Sequence, residues 1–364
     1  MSTSIDMRPR ASLRDVLHRR ANVVGARFDP MGVPGLVSPI EPRLRMGILY
    51  DDPVTAEREA LRKTGPRAVA GVLAKLFIAR FLGGNTAVSA EAKPFIVAAR
   101  VDNVDVPIAL DLVFQKPTAS SRFVAFVHPH ALNLATFDPE LASIIEGADA
   151  ILPDGIGVRI AARLLGRPLR ANVNGTDLLP LVAAEAVRRG VPLALVGAKP
   201  GVAARCAQNL AGSHPGLSIP IVSDGYLDEA GTRALLSKLR EAGRIIVLVG
   251  MGTPIQEQWI AKVRSELPEA TLVSVGGLFD FFSGDVQRAP MVVRELGLEW
   301  AFRMAREPRR LAKRYLLGNP LFLTLAVKQW LGERRRAVTL PLGFTSGIGA
   351  TANARREPGR SKRP

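Results

Sequence analysis

Residues 244–259, RIIVLVGMGTPIQEQW, constrain the fold more than any other part of the chain. Residues 245–249 are an uninterrupted apolar run rich in β-branched side chains. That is the composition and length of a strand buried on both faces of a parallel sheet. Gly250 and Gly252 follow at once, and Pro254 suits the first turn of a helix. Gln256, Glu257 and Gln258 are then expected to line a crevice with polar groups. A strand passing through a glycine turn into a helix leaves backbone N–H groups pointing off the carboxyl edge of the sheet, where α/β proteins hold anions. Taken alone, an ordinary βα unit reads the same way, so the argument rests on recurrence.

The pattern does recur. Residues 1–93 read as an extension, Arg- and Pro-rich and irregular to about residue 53, with one amphipathic helix over 67–82, RAVAGVLAKLFIARFL. That helix is too short and too charged to span a bilayer; it lies on a membrane surface or packs on the main domain. From residue 94 strands and helices alternate. Strands are expected at 95–101 and 104–108, as a hairpin around Asp102-Asn103, and then at 122–127, 150–152, 192–197, 217–222, 245–249 and 270–275. Helices are expected at 138–146, 156–165, 175–189 (capped by Thr176 or Asp177), after Gly201 through Leu210, and at 229–242. This predicts an α/β, Rossmann-like, mainly parallel sheet with helices on both faces over 94–297.

Residues 298–331 read as a basic helical C-terminal appendage. Trp300, Met304, Leu311 and Tyr315 share one stripe, with Arg303, Arg306, Arg310, Lys313 and Arg314 beside it and Pro308 breaking the element. A short apolar helix follows at 322–331, and 332–364 read as a disordered basic tail.

A formal charge of +16 demands an anionic partner: nucleic acid, a phosphorylated substrate or an acidic membrane surface. Only 5% of residues are aromatic and no zinc-finger or RNA-recognition signature is present, so nucleic acid is not expected. No apolar run reaches the roughly 18 residues of a spanning helix, and no secretory signal opens the chain. The expectation is a cytoplasmic protein that touches a membrane. Cys206 is the lone cysteine and reads as a small buried residue on a helix.

Several strand ends carry chemically useful groups: Asp154, Lys199-Pro200-Gly201, Tyr226, Gln256 and Asp280. In a parallel sheet they share one edge. Asp154, in Pro153-Asp154-Gly155, is a helix cap or a general base. Gly197 and Gly201, in GAKPG, suit a close backbone approach to phosphate, without the spacing of a P-loop. His128 and His130 in VHPHAL lie in a polar loop or bind metal, but no third ligand is in view.

Taken together, PDGIGVRIAARLLG, NGTDLLP, GAKPGVA, SDGYLD, VGMGTPIQEQWI, VGGLFDFFSGDVQRAP and GLEWAFRMAREPRRLAKRY resemble the WecG/TagA/CpsF family of bacterial glycosyltransferases, over about residues 101–315. The resemblance implies inverting, metal-independent and cofactor-free transfer of a sugar from a UDP-sugar to a polyprenyl-diphosphate-linked acceptor, in cell-surface polysaccharide synthesis. It implies Asp154 as base and Gln256 as an active-site glutamine. Gly250 and Gly252, with Gly197, Gly201 and Tyr226, fall on the nucleotide side. Arg303, Arg310 and one of Lys313 or Arg314 match the family's appendage arginines, thought to close over the site at the membrane.

The sugar or acceptor pocket falls to His128, Asn133, Asn174, Thr176 and Asp177. There the chain departs from the family at two places: Phe126-Val127-His128 stands for Thr-x-Asn, and Asn172-Val173-Asn174-Gly175-Thr176-Asp177 for Arg-Val-Thr-Gly-Thr-Asp. The partners implied are a UDP-sugar, a lipid-linked sugar and an anionic membrane surface on the inner face of the bacterial plasma membrane; a homo-oligomer is compatible. The physics agrees, because a departing UDP develops negative charge and the span from Arg303 to Tyr315 holds six bases and one acid. That charge also suits a solvated face, or anionic lipid at about 1 kcal/mol per residue. The alternatives are a sugar-nucleotide epimerase or dehydrogenase, for which no dinucleotide fingerprint exists, and a non-catalytic basic membrane or nucleic-acid binder.

Overall fold

The computed structural model describes residues 10–12, 16, 22–46, 53–62, 65–82, 91–118 and 120–339. Among them, six parallel strands form the central sheet: β5 (Arg122–Val127), β6 (Ala150–Pro153), β7 (Leu193–Gly197), β8 (Ile221–Ser223), β9 (Ile246–Gly250) and β10 (Thr271–Ser274). Their order is β6-β5-β10-β9-β7-β8. The inner strands β7 and β9 are the apolar runs that burial on both faces requires, β5 becomes one after Arg122, and the short β10 buries Thr271 and Ser274 at its ends. Along β9, Val247 and Val249 point into one core and Ile246 and Leu248 into the other.

The first core is covered by α5 (Pro129–Phe137), α6 (Pro139–Glu146), α7 (Ile156–Leu164), α10 (Glu229–Glu241) and α11 (Ile255–Val263). The second is covered by α4 (Val106–Phe114), α8 (Gly175–Arg189), α9 (Val202–Ser213) and α12 (Phe279–Phe282). The chain therefore leaves neighbouring strands β7 and β9 toward opposite faces, which opens a crevice at their carboxyl ends. Cys206 is buried on α9, where burial pushes its thiol up to about 12, so it stays an inert core residue.

Two glycines make the crevice possible. A Cβ on Gly197 would come within 2.4 Å of the Gly250 carbonyl carbon, and one on Gly250 within 2.8 Å of the Phe279 ring. Only bare backbone lets these strand ends approach so closely.

Several local expectations are corrected. The hairpin closes earlier, pairing β3 (Phe95–Ile96) with β4 (Ala99–Arg100). Residues 104–108 form no strand: Asp105 caps α4 by accepting the Ile108 N–H at 3.2 Å, and Pro107 occupies the first turn. The VHPHAL segment is the start of α5, with His128 as its cap. Asn174, rather than Thr176 or Asp177, caps α8, its side chain accepting the Asp177 N–H at 2.8 Å.

The extension is also more structured than its composition suggests. β1 (Asn22–Val24) and β2 (Gly35–Val37) pair in parallel, followed by α1 (Glu41–Met46), α2 (Pro53–Leu61) and α3 (Pro66–Leu82). Buried Glu57 organises this part by accepting the backbone N–H groups of Arg27, Phe28 and Asp29. Helix α3 places apolar residues around its whole circumference, packs Ala79 inward and leaves Leu73 and Phe77 exposed.

After α13 (Met291–Glu295) the appendage comprises α14 (Glu299–Arg306), α15 (Pro308–Ala312), a wide turn over Lys313–Leu317, and α16 (Gly318–Thr339). α16 is longer than the helix expected at 322–331 and packs on α5 and α7, burying Phe322 and Ala326. The rest of the expected tail lies outside the described residues.

Candidate active site

Two cavities open at the carboxyl edge of the sheet. The larger, about 940 Å³, lies over the ends of all six strands and is roofed by Arg303, Arg310, Lys313 and Arg314. The smaller, about 480 Å³, lies between α7, residues 172–176 and the appendage, with Ile160, Trp300, Tyr315 and Leu323 among its apolar lining. They share a wall made of His128, His130, Asp154, Thr176, Phe281, Arg303 and Arg314. Such concave, mainly apolar spaces with a few converging polar groups are where small ligands bind.

Asp154 stands at the end of β6, with Gly155 at φ 86° turning the chain into α7. Its N–H is held by the Val127 carbonyl at 2.8 Å, and its carboxylate has no hydrogen-bond partner among the described residues. It is therefore not a side-chain cap for α7. Burial raises its pKa from 3.8 to about 6; Arg314 and Arg303 pull the other way, and Glu299 and Asp177 reinforce the rise. A carboxylate that is ionised at neutral pH, yet basic enough to take a proton, is suited to general-base work.

His128 points its Nδ1 at the Ala131 N–H, 3.0 Å away, so the neutral ring carries its proton on Nε2. Burial, Arg314 and His130 hold its pKa well below the ordinary histidine value. The two imidazoles stack with centroids 6.1 Å apart. With its Nδ1 committed to Ala131, His128 is no proton acceptor; burial and Arg314 also lower the pKa of His130, and Asp154 is the one carboxylate of the shared wall.

The turn after β9 differs from expectation. Gln256 and Glu257 are each only 1% exposed, and Gln258 faces solvent away from both cavities. Gln256 Oε1 accepts the N–H groups of Gly252 (3.2 Å) and Gly276 (2.9 Å), and its Nε2 donates to Glu257 at 2.8 Å. Two of the amides an anion would have used are therefore already bonded. Gln256 fixes two loops side by side and, with Gly250 and Gly252, remains in the lining of the larger cavity, as expected.

Positive charge comes mainly from the appendage, with Lys199 lining the larger cavity from the end of β7. Arg303 lies 4.5 Å above the Phe281 ring with its Nε buried and without a hydrogen bond. Arg314 is buried enough that its pKa is lowered, and it makes no ion pair among the described residues. Arg310, by contrast, is engaged by Asp280 at 3.3 Å and Glu307 at 2.9 Å.

The remaining candidates divide. Thr176 and Asn174 line the smaller cavity, and Tyr226 stands exposed at the rim of the larger. Asn133 reaches the larger cavity, but its amide nitrogen holds the Gly318 carbonyl at 2.7 Å, tying α5 to the appendage; its Oδ1 is buried and unpaired. Asp177, Gly197 and Gly201 line neither cavity. Asp177 is buried and takes ion pairs from Arg288 and Arg294, so it locks α8 to the segment leading into the appendage. The smaller cavity and Phe281 were not foreseen, although the Trp300–Tyr315 stripe pointed to the former.

A glycosyltransferase family model, described as WecG/TagA/CpsF, matches residues 95–336, about two thirds of the chain. The chain belongs to the WecG/TagA/CpsF family of glycosyltransferases. A relative from Bacillus spizizenii, named N-acetylglucosaminyldiphosphoundecaprenol N-acetyl-beta-D-mannosaminyltransferase, is 34% identical over 206 residues. That span is 57% of this chain and 79% of the relative. The WecG/TagA/CpsF match covers the sheet, both cavities and most of α16, and it leaves the N-terminal extension outside. Among the described residues no helix is long and apolar enough to cross a membrane.

Proposed function

We propose that this glycosyltransferase moves a sugar of the hexose or N-acetylhexosamine class from a UDP-sugar to a saccharide carried on a polyprenyl diphosphate, with inversion and without a metal. The single observation that carries this reading is Asp154, an unpaired carboxylate of raised pKa on the wall between two cavities, with Arg303 and Arg314 beside it. The acceptor class follows the name of the Bacillus spizizenii relative.

In this scheme the larger cavity takes the nucleotide and the sugar it carries, and the acceptor sugar approaches from the smaller. Asp154 removes the proton of the attacking hydroxyl. That oxygen bonds to the anomeric carbon on the face opposite the diphosphate, and the bond from that carbon to the UDP oxygen breaks. The electron pair leaves on UDP, and one displacement inverts the centre. Arg303 and Arg314, with Arg310 and Lys313 at the roof, neutralise the charge that develops on the leaving group.

Buried Gln256 keeps the two glycine loops in register under the nucleotide, which is a positioning role. The basic appendage rests against the inner face of the plasma membrane, bringing the site to its lipid-linked acceptor. The test is a screen of UDP-sugars with a short-chain lipid-diphosphate saccharide, reading UDP release and product mass. Transfer that needs both components supports the proposal, and no transfer from any UDP-sugar overturns it.

A further inference from the structure

Helix α3 lies outside the residues matched by the family model, and its 17 residues include Arg67, Lys75 and Arg80 but no acid. Its two sides do different things. On the inner side Ala79 is buried, Lys75 pairs with Glu295 at 2.5 Å, and Arg163 of α7 donates to the Arg80 carbonyl at 3.0 Å. On the outer side Ala70, Leu73, Ala74 and Phe77 are exposed, Leu73 by 40% and Phe77 by 65%. Their spacing puts them in one line along the helix. Arg67 and Arg80, both exposed, stand at the two ends of that line.

A helix facing water normally turns polar residues outward. An apolar stripe bracketed by arginines, on a helix with no acid, fits a sheet of anionic headgroups over hydrocarbon. The stripe enters the acyl boundary while the guanidinium groups stay among the phosphates. A second copy of the chain fits worse, because antiparallel pairing of two such stripes would set Arg67 of one against Arg80 of the other.

We propose that α3 is a membrane contact separate from the appendage, lying flat in the headgroup region of an anionic bilayer. The inner ties give this contact a consequence for the reaction, a step that rests on the function proposed above. Lys75 and Arg43 of α1 converge on Glu295, buried at the end of α13, and Arg159 of α7 donates to the Arg45 carbonyl at 3.0 Å. Helix α7 supplies Ile156 and Ile160 to the smaller cavity, and α13 supplies Arg294. The helix that meets lipid is thus braced to the cavity assigned to the lipid-linked acceptor.

The test uses the full chain, co-sedimented with vesicles of phosphatidylcholine alone or mixed with phosphatidylglycerol. Leu73→Glu/Phe77→Glu is expected to weaken binding to the mixed vesicles by about tenfold or more. Arg67→Ala/Arg80→Ala is expected to weaken it by about fivefold per arginine, with little change on phosphatidylcholine alone. The milder Leu73→Ser/Phe77→Ser carries the same direction should the charged pair lower the melting temperature.

Transfer to a short-chain acceptor in solution should stay at the wild-type rate in every variant, while transfer to a long-chain acceptor embedded in vesicles falls with binding. Unchanged vesicle binding in the Leu73/Phe77 variants overturns the proposal. So does a change confined to oligomeric state, read by light scattering, which would give the stripe to a second copy. A wild-type protein that binds vesicles through α3 but transfers to neither acceptor would instead contradict the proposed function and leave the membrane contact standing.

Discussion

The β6–α7 and β9–α11 junctions begin alike and end differently. Each runs a buried strand through a glycine of positive φ, Gly155 at 86° and Gly252 at 82°, into a helix at the carboxyl edge of the sheet. At β9–α11 the polar residues are largely tied down: Gln256 holds Gly252 and Gly276, and Glu257 Oε1 is bonded to Gln256 and Thr253, while its Oε2 is buried without a partner and burial raises its pKa. At β6–α7 the carboxylate of Asp154 has no hydrogen bond among the described residues, and burial raises its pKa to about 6. A carboxylate held by hydrogen bonds and turned away from the cavities, as Glu257 is, serves as framework, while one with no such bond on a cavity wall, as Asp154 is, is exposed to a ligand. The same supersecondary unit therefore yields a frame in one place and, in the proposed scheme, the base in the other.

The sharpest way to break this contrast is Asp154→Asn. As the proposed base, its loss should lower turnover by about 10² to 10⁴-fold, measured under saturating donor and acceptor, with UDP affinity nearly unchanged. The sign of its stability effect is also fixed. Because the folded pKa is raised above the 3.8 of the unfolded chain, protonation favours the native state. The stability Asp154 contributes is full below about pH 4 and lost as pH rises through about 6. The Asn variant should therefore melt no lower than wild type at pH 7.5.

Gln256→Ala should do the reverse, damaging the frame more than the reaction step. It strips a partner from two loop amides, a cost of about 1–3 kcal/mol each if they stay buried and unpaired. Thermal unfolding should show the lower stability, and UDP titration the weaker donor binding.

Among the cations the expected order follows their present partners. Arg314→Ala, removing a half-buried arginine with no ion pair among the described residues, should lower kcat by about tenfold or more, as does loss of one donor to a developing oxyanion. Arg310 already answers to Asp280 and Glu307, and Arg310→Ala should cost only a fewfold. Equal effects in steady-state kinetics would mean that the roof rearranges when substrate enters. The smallest effect expected is none at all: activity should survive EDTA, since charge on UDP is met by guanidinium groups, and loss restored by Mg²⁺ would contradict this.

What was legible in the sequence follows from how each feature is specified. The parallel sheet was legible because a strand buried on both faces must be continuously apolar, as residues 123–127 and 246–250 are. Asp154 was legible as a lone carboxylate at a strand end. Helix α4 was misread because its cue is a single cap at Asp105 and a proline, against a short β-branched run. Asp177 was assigned to the pocket because nothing local reveals Arg288 and Arg294, more than a hundred residues away, that bury it. Gln256 was rightly aimed at the cavity, but its bond to Gly276 of another loop was not legible, and Glu257 and Gln258 turn away from both cavities. The smaller cavity needed α16 to pack against α7 and Trp300 of α14 to reach the same space, which no periodicity encodes.

The measurement that bears most directly on the central claim is the pH dependence of kcat/KM for wild type and Asp154→Asn, with donor and short-chain acceptor in solution. The account predicts that the wild-type rate falls on the acid side with a midpoint near pH 6, as Asp154 takes up its proton. The residual rate of the Asn variant should lack that limb. An acid limb that persists in Asp154→Asn, or a loss of turnover smaller than about tenfold, would contradict the assignment of Asp154 as the base.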